Sequence, residues 1–360
     1  MDTAQTLAFR KILTESVKKE ASDLHMSVGS RPMIRIDGLL RDMEEEDVCT
    51  EDSIRSIVES ILSPEQVEKL QQEHDFVFVK VFDNKIRTKI HFFYQESFLT
   101  LSIRFLSLNP VTLQMLKMPP VIDKLSSLTH GLIVVAGRYG SGRTTLATSL
   151  LEEINRTRVE HILTLERPIE YNLVSNKSIV DQQEVGHDIV SFEKGLANLD
   201  DEDVDVLFVS ELTSIDCTRS VLEHSSAGML VVVVMDTDSA TRAIERLVSM
   251  FQVSEQDYAR QLIAGTLQAV VVQALVPQIG GGRIAVHELL LNNASIRSFI
   301  LSNRLQQLGN VIASSKAEGM MSFDTELAAL VRSQKVSLEH AREIARSSDV
   351  FESLAKGSLK

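Results

Sequence analysis

Gly137-Arg-Tyr-Gly-Ser-Gly-Arg-Thr144 is the stretch that decides the fold, because it follows the P-loop pattern G-x-x-x-x-G-K-S/T with arginine in place of lysine. The apolar run Gly131-Leu-Ile-Val-Val-Ala136 before it predicts a buried strand, and residues 144–154 after it predict a helix. In such a strand, loop and helix unit, glycines allow backbone N–H groups to turn toward a phosphate group. The stretch therefore predicts a phosphate-binding fold with an altered cation.

The length and composition are those of an ordinary globular chain with room for two domains. The chain has 360 residues, of which 44% are hydrophobic and 24% charged. Its longest apolar runs, such as Leu230-Val-Val-Val-Val-Met235, have the length of a strand rather than of a membrane span. We therefore expect no transmembrane segment and no secretory signal, and the cytoplasm is the predicted compartment.

Net charge and cysteine content exclude further classes of protein. The formal net charge is −13 and the chain has no dense basic run, which argues against nucleic acid as a partner. The two cysteines, Cys49 and Cys217, lie too far apart in sequence for a metal-ligand spacing or a disulfide framework. Both are expected to be reduced and structural.

Residues 1–105 are predicted to form a small α+β domain. Helical periodicity appears at residues 7–20 and 52–62, with a short strand at 32–36 between them. Alternating strands at 76–82 and 85–93 flank Asp83-Asn84, which is typical of a hairpin turn. These elements precede a proline-containing linker at residues 106–120.

Residues 121–360 are predicted to form the nucleotide-binding domain, with helices at its C-terminal end. From residue 121 to about 300, apolar strands alternate with helices. This alternation predicts a parallel sheet with a ligand at the carboxyl ends of its strands.

Several motifs besides the P-loop stand in a characteristic order. They are Ala21-Ser-Asp-Leu-His25, Arg35-Ile-Asp-Gly38, Phe92-Phe-Tyr-Gln95, Leu163-Thr-Leu-Glu166-Arg-Pro-Ile-Glu-Tyr171, Gln182-Gln-Glu-Val-Gly186, Val206-Leu-Phe-Val-Ser-Glu211, Ile284-Ala-Val-His-Glu288 and Gly319-Met-Met-Ser-Phe-Asp324. In this order and spacing they resemble the motifs of the secretion and type IV pilus ATPases, most closely the retraction motors of the PilT and PilU type. The resemblance runs nearly from end to end of the chain.

This resemblance implies a fold, an assembly and a cellular role. It implies a PAS-like α+β N-terminal domain followed by a RecA-like P-loop domain, assembled as a hexameric ring that binds ATP and Mg²⁺. The implied role is in pilus retraction and twitching motility. The implied partners are further copies of the chain, a canonical retraction ATPase and the pilus platform protein of the inner membrane, with the chain in the cytoplasm or peripheral at that membrane.

The candidate site residues follow from the P-loop and from two strand ends. Glu211 ends a predicted strand, where a general base or water-positioning carboxylate belongs, and Glu166 ends the neighbouring strand, where a magnesium or water contact belongs. A solvated or capping glutamate is the alternative for each. The Thr144 hydroxyl is the candidate magnesium ligand, with a helix N-cap as the alternative. The candidate nucleotide-binding residues are Gly137, Gly140, Ser141, Gly142, Arg143, Thr144 and Thr145.

Three basic residues of the first domain form a further candidate contact. By resemblance, Arg87, Lys89 and Arg104 reach the nucleotide, and a solvated strand face is the alternative.

The site departs from the family pattern mainly where positive charge is expected. Arginine is a longer, planar cation than the lysine that Arg143 replaces, and by resemblance Asp201 stands where the family has an arginine. Arg167 replaces an acidic residue and is expected to lie beside Glu166 and neutralise it. The other departures by resemblance are Thr213 and Ser214 for an arginine and an aspartate, and Met229 and Asp236 for two histidines.

Three functions remain open from the sequence. The first is an accessory or regulatory ring subunit with weak or no ATP hydrolysis, because lost cations impair phosphoryl transfer. The second is an active ATPase that powers pilus retraction, in which Glu166, Glu211 and Thr144 act as the candidate site residues. The third is a nucleotide-binding switch without turnover.

Overall fold

The computed structural model describes residues 4–107 and 110–357, and the chain divides into two compact units, Met1–Asn109 and Pro110–Lys360. Residues 108 and 109 of the predicted linker lie outside the described residues. Each unit contains its own sheet and its own helices. The predicted fold class, a PAS-like α+β unit followed by a RecA-like α/β unit, is confirmed.

The first unit is a six-stranded antiparallel sheet packed against helices. Its elements are α1 (Ala4–Lys18), β1 (Asp23–Ser27), β2 (Met33–Ile36), β3 (Leu39–Asp42), α2 (Glu51–Ile61), α3 (Pro64–Glu73), β4 (Asp75–Phe82), β5 (Ile86–Gln95) and β6 (Phe98–Leu106). The strand order is β3-β2-β1-β6-β5-β4. Leu24 and Ile90 of the sheet pack with Phe9 of α1 and Ile54 of α2 in one buried core.

The predicted hairpin turn between β4 and β5 is confirmed. Asp83 and Asn84 have φ values of 50° and 54°, and the N–H of Lys85 donates to the Phe82 carbonyl at 2.9 Å. Two consecutive residues with positive φ match the right-handed twist of the paired strands, and Asp and Asn tolerate this region better than most residues.

The second unit is a seven-stranded sheet with helices on its faces. Its strands are β7 (Gly131–Ala136), β8 (His161–Glu166), β9 (Ile179–Glu184), β10 (Val206–Val209), β11 (Leu230–Met235), β12 (Leu267–Pro277) and β13 (Arg283–Leu291). Its helices are α4 (Pro120–Asp123), α5 (Arg143–Thr157), α6 (Phe192–Ala197), α7 (Leu199–Glu202), α8 (Ile215–Ala227), α9 (Ala240–Ser249), α10 (Gln256–Thr266), α11 (Ala294–Leu301), α12 (Leu308–Ser314), α13 (Phe323–Arg332), α14 (Leu338–Ile344) and α15 (Ser348–Ala355).

The strand order β13-β12-β7-β11-β10-β8-β9 places the P-loop strand β7 inside the sheet. The pairs from β12 to β9 are parallel, as the alternation of strands and helices predicts, but β13 runs antiparallel to β12. The reversal follows from Gly280, Gly281 and Gly282, whose φ values of 96°, 105° and 76° close a tight turn. The carboxyl ends of β7, β8, β10 and β11 therefore meet at one edge.

Two apolar layers cover the faces of this sheet. Val134 and Val233 face a layer that includes Phe192 and Leu247, whereas Ile133 faces a layer that includes the α5 helix.

Cys49 and Cys217 are buried and unpaired, and burial raises the pKa of the Cys49 thiol to about 11, which fits a structural role. Within the described residues, no helix is both long enough and apolar enough to cross a membrane.

Candidate functional site

The loop between β7 and α5 is tightly closed by glycines. A Cβ atom on Gly137 would lie 2.2 Å from Ser141 Oγ and 2.5 Å from the Gln273 carbonyl oxygen. Gly142 has a φ of 82°, and a Cβ there would lie 2.7 Å from Gln273 Nε2. Gly140 has a φ of 79°. A side chain would clash with the neighbouring backbone at Gly137 and would strain the backbone at Gly140 and Gly142, so glycine suits all three positions.

Helix α5 begins with free donors at this loop. Its N-cap is Gly142, which provides no side-chain cap, so the first N–H groups of the helix lack the usual side-chain acceptor. Such a helix end attracts anions through these N–H groups and the helix dipole. Thr144 is the second residue of the helix, so the alternative that it is the N-cap is wrong. The Thr145 hydroxyl is hydrogen-bonded to the Tyr171 hydroxyl at 2.8 Å.

One buried hydroxyl group of the loop, Ser141 Oγ, has no hydrogen-bond partner among the described residues. A buried hydroxyl without a hydrogen bond is unfavourable, and a bound phosphate oxygen relieves that cost. The residues present therefore fit a phosphate group.

The Arg143 guanidinium is already engaged by the protein. Its Nη1 donates to the Gly137 carbonyl at 2.6 Å and to the Met235 carbonyl at 3.1 Å, and it lies 3.1 Å from Asp236 Oδ1. Arg143 is one-fifth exposed, whereas Asp236 is more than half exposed. The cation that replaces the P-loop lysine thus bridges the loop to the end of β11 and shares its charge with a carboxylate.

A second ion pair joins the same two segments. Arg138 Nη2 of the loop donates to Asp238 Oδ2 at 2.7 Å, and Asp238 also accepts from Arg242 at 2.7 Å. Burial acts to raise the pKa of the Asp238 carboxyl, but the two arginines together outweigh it, and the pKa is lowered. Asp236 and Asp238 together hold both arginines of the P-loop, and we call this pair of ion pairs the acidic clamp.

Glu211 follows β10 at the predicted edge of the sheet but is paired with a cation. Arg167 Nε donates to Glu211 Oε1 at 2.8 Å, and the guanidinium also lies over the Phe192 ring. The expectation that Arg167 lies beside Glu166 and neutralises it is therefore wrong, because the long side chain extends to Glu211 instead. A catalytic role for Glu211 requires this exposed pair to open.

Glu166 is buried at the end of β8. Only 2% of it is exposed, and its Oε1 accepts from Thr164 Oγ1 at 2.8 Å and from Gln182 Nε2 at 3.0 Å. Burial raises the pKa of this carboxyl to about 7, although the two hydrogen bonds act in the opposite direction. A carboxyl with this pKa can take up and release a proton near neutral pH, as a general base must.

The Glu166 carboxyl is expected to make stability depend on pH. Because its folded pKa of about 7 lies above the ordinary value of 4.5, the native state holds the proton more tightly, and stability falls as pH rises from 4.5 to 7. The full cost is about 3 kcal/mol. Urea unfolding between pH 5 and pH 8 should show this fall in the wild type and a flatter profile in Glu166→Gln. Parallel profiles for the two proteins would contradict it.

Thr213 and Ser214 have a structural role. Both hydroxyls donate to Glu193 Oε1, at 3.3 Å and 2.6 Å, and Ser214 Oγ also accepts from the Cys217 N–H at the start of α8. The Ser214 hydrogen bond is the main reason that the pKa of the Glu193 carboxyl is lowered. These residues join α6 to α8.

The remaining residues singled out in the sequence lie on the following elements. Met229 precedes β11, at the opposite end of that strand from Asp236, so the structure does not bring these two residues together. Asp201 is exposed on the short helix α7, and its effect on a phosphate stays a prediction. In the first unit, Arg87, Lys89 and Arg104 lie on β5 and β6, where Arg104 Nε donates to Asp23 at 2.9 Å. Their contact with a nucleotide also stays a prediction.

Gln273 was missed from the sequence, although it touches the loop. Its Nε2 donates to the Ser141 carbonyl at 2.7 Å, and the residue is 5% exposed. The available signal was a polar residue within the apolar strand Leu267–Pro277. A buried amide in such a strand needs hydrogen-bond partners, so this residue type at this position indicates a buried polar contact.

Known proteins are similar to this chain over nearly its whole length. The family described as Type II/IV secretion system protein matches residues 3–339. The type IV pilus retraction ATPase PilT of Pseudomonas aeruginosa is 32% identical over 353 residues, which cover 98% of this chain and all of that protein. The type IV pilus ATPase PilU of the same organism is 28% identical over 95% of this chain and 90% of its own length. The crystal structure of the pilus retraction motor PilT with bound ADP is 32% identical and superposes with a TM-score of 0.81, covering 95% of this chain and 98% of that one.

Proposed function

Because the chain belongs to the type II/IV secretion system protein family, we propose that it is a PilT/PilU-like type IV pilus motor subunit with weak or no ATP hydrolysis. It acts as an accessory or regulatory subunit in a hexameric ring. The ring consists of its own copies or works beside a canonical retraction ATPase, at the pilus platform protein on the cytoplasmic face of the inner membrane.

The observation that carries this proposal is the engagement of Arg143. Phosphoryl transfer depends on cations that neutralise charge as it develops on the transferred group. Here the cation of the loop is bound to two carbonyl oxygens and lies beside the Asp236 carboxylate. A terminal phosphate must compete with that carboxylate, and its approach is opposed by the negative charge of Asp236.

The remaining parts of the loop support binding of a nucleotide. The glycines, the uncapped start of α5 and the unpartnered Ser141 hydroxyl offer donors for a diphosphate. No cluster of three or more His, Cys, Asp or Glu side chains in the described ranges has a metal-binding arrangement. From the P-loop pattern, Mg²⁺ would be held by the Thr144 hydroxyl together with phosphate oxygens, and it would neutralise phosphate charge.

Phosphate release from ATP with Mg²⁺ tests the proposal. We expect the wild type to release phosphate no faster than Glu211→Gln, because Glu211 is held by Arg167 and Arg143 by Asp236. Arg143→Lys with Asp236→His supplies the residues of the family and should raise the rate. Glu339→Gln, an exposed change on α14, is the control. Rapid release by the wild type that Glu211→Gln abolishes would overturn the proposal.

An active retraction ATPase is the second candidate, and Glu166 favours it. A buried carboxyl with a pKa of about 7 at the edge where the loop lies is a general base of suitable strength. On this alternative, Glu166→Gln abolishes phosphate release that the wild type shows. Tight binding of ATP without release would instead favour a nucleotide-binding switch.

A further inference from the structure

A buried hydrogen-bonded chain connects the P-loop to helix α13. From the Ser141 carbonyl it passes to Gln273 on β12, whose Oε1 lies 3.1 Å from Nε2 of His287 on β13. The other ring nitrogen, Nδ1, lies 3.4 Å from Glu326 Oε1 on α13. Glu326 Oε2 also accepts the backbone N–H of His287. Gln273 and His287 are only 5% and 4% exposed, so water does not compete with the link between them, whereas the Glu326 side chain is 23% exposed.

The direction of each link is determined by its neighbour. The Ser141 carbonyl can only accept, so the Gln273 amide must present its NH₂ group to the loop and its oxygen to His287. The Nε2 of His287 must then carry a proton and donate it to that oxygen. Because Nε2 already carries a proton, Nδ1 donates to Glu326 Oε1 only when the ring is doubly protonated, whereas the backbone N–H of His287 donates to Glu326 Oε2 in either state of the ring. The orientation of the amide under the P-loop therefore depends on a carboxylate of α13.

The amide also limits the shape of the loop. Gln273 Nε2 lies 2.7 Å from where a Cβ of Gly142 would stand, so the amide packs directly beneath the residue that starts α5. A rotation of the Gln273 side chain would remove both the hydrogen bond to Ser141 and this support. The N–H groups of the loop would then lose their fixed direction.

A second connection reaches the same region from the segment after α14. Arg346 pairs with Glu288, which is 8% exposed and accepts the Ala240 N–H at the start of α9 at 2.6 Å. The segment before α9 carries the acidic clamp. Asp324 of α13 accepts the N–H groups of Arg346 and Ser347, both at 2.9 Å. Helix α13 thus supports both segments that form the site.

We infer that helix α13 positions the P-loop through the chain Glu326, His287, Gln273 and the Ser141 carbonyl, with Glu326 as a positioning residue remote from the phosphate. This inference deepens the proposed function, since it concerns the same nucleotide site. It places control of that site in the C-terminal helices, where a change at α13 alters the backbone that receives the phosphate.

Hydrogen exchange of the nucleotide-free, full-length chain tests this inference. We expect Glu326→Ala to speed exchange of the two hydrogen-bonded loop amides, Gly137 N–H and Ser141 N–H, by roughly tenfold, the usual effect of losing one hydrogen bond to a charged group. Gln273→Leu should do the same, and the double variant should exchange no faster than Gln273→Leu alone, because both act on one chain. Glu326→Gln keeps an acceptor oxygen and should restore most of the protection. Glu339→Ala, an exposed change on α14, is the control.

Additive effects in the double variant, or unchanged exchange of the P-loop in Glu326→Ala, would overturn the inference. If Glu326→Ala does not fold, His287→Leu breaks the same chain from β13 and should give the same increase. Titration with ADP separates this inference from the proposed function. A wild type that binds no ADP at millimolar concentration counts against nucleotide binding, while the exchange data still decide whether α13 positions the loop.

Discussion

Gly137→Ala is expected to destabilise the second unit by about 1–3 kcal/mol, the usual cost of forcing an extra methyl group into a packed site. The added Cβ would lie 2.2 Å from Ser141 Oγ and 2.5 Å from the carbonyl oxygen of Gln273. That carbonyl belongs to a strand paired on both sides and has no room to retreat. The loop must therefore move away, and we expect affinity for ADP to fall roughly ten- to hundredfold as its N–H groups lose their alignment.

Thermal unfolding and titration with ADP measure the two effects of Gly137→Ala. Gly309→Ala is the matched control, because nothing lies within 4 Å of a Cβ at that position in helix α12. The control should keep its affinity for ADP and gain slightly in stability, since alanine favours a helix more than glycine does. An unchanged affinity and unfolding temperature in Gly137→Ala would show that the loop does not have the closed shape described above.

Asp236→Asn is expected to increase the affinity for ATP by about tenfold or more, because it removes a negative charge from the place where a terminal phosphate approaches. Asparagine cannot hold the Arg143 guanidinium as an ion pair, so the arginine becomes available to the phosphate. The gain should be larger for ATP than for ADP, since ATP carries the additional terminal charge. It should shrink as salt is added, because the Asp236 carboxylate is exposed.

Titrations with ATP and ADP at two salt concentrations measure the effect of Asp236→Asn. Asp216→Asn, an exposed change in the first turn of α8, removes the same charge from another position and is the control. Equal gains in ATP affinity in both variants would mean that the change in net charge, and not the position of Asp236, causes the effect. A loss of affinity in Asp236→Asn would mean that the acidic clamp holds Arg143 in a favourable place, and would weaken the case for an accessory subunit.

The sequence alone predicted those parts of the molecule that depend on local patterns. The glycine spacing after a buried apolar run predicted the phosphate-binding loop, since glycine adopts positive φ without strain and leaves room for close backbone contacts. Asp83-Asn84 predicted a hairpin turn for the same kind of reason. The order of the motifs predicted the family, and the observed match over residues 3–339 confirms it.

Only the tertiary structure decided which charges meet at the site. Arg167 stands next to Glu166 in sequence, but it pairs with Glu211, 44 residues away. The two residues meet because β8 and β10, the strands that precede them, are neighbours in the sheet. The engagement of Arg143 by Asp236 and the chain from Glu326 to Ser141 likewise join residues distant in sequence. Local propensity determines strands, turns and loops, whereas the pairing of charges depends on the sheet order and on burial, which arise only when the chain has folded.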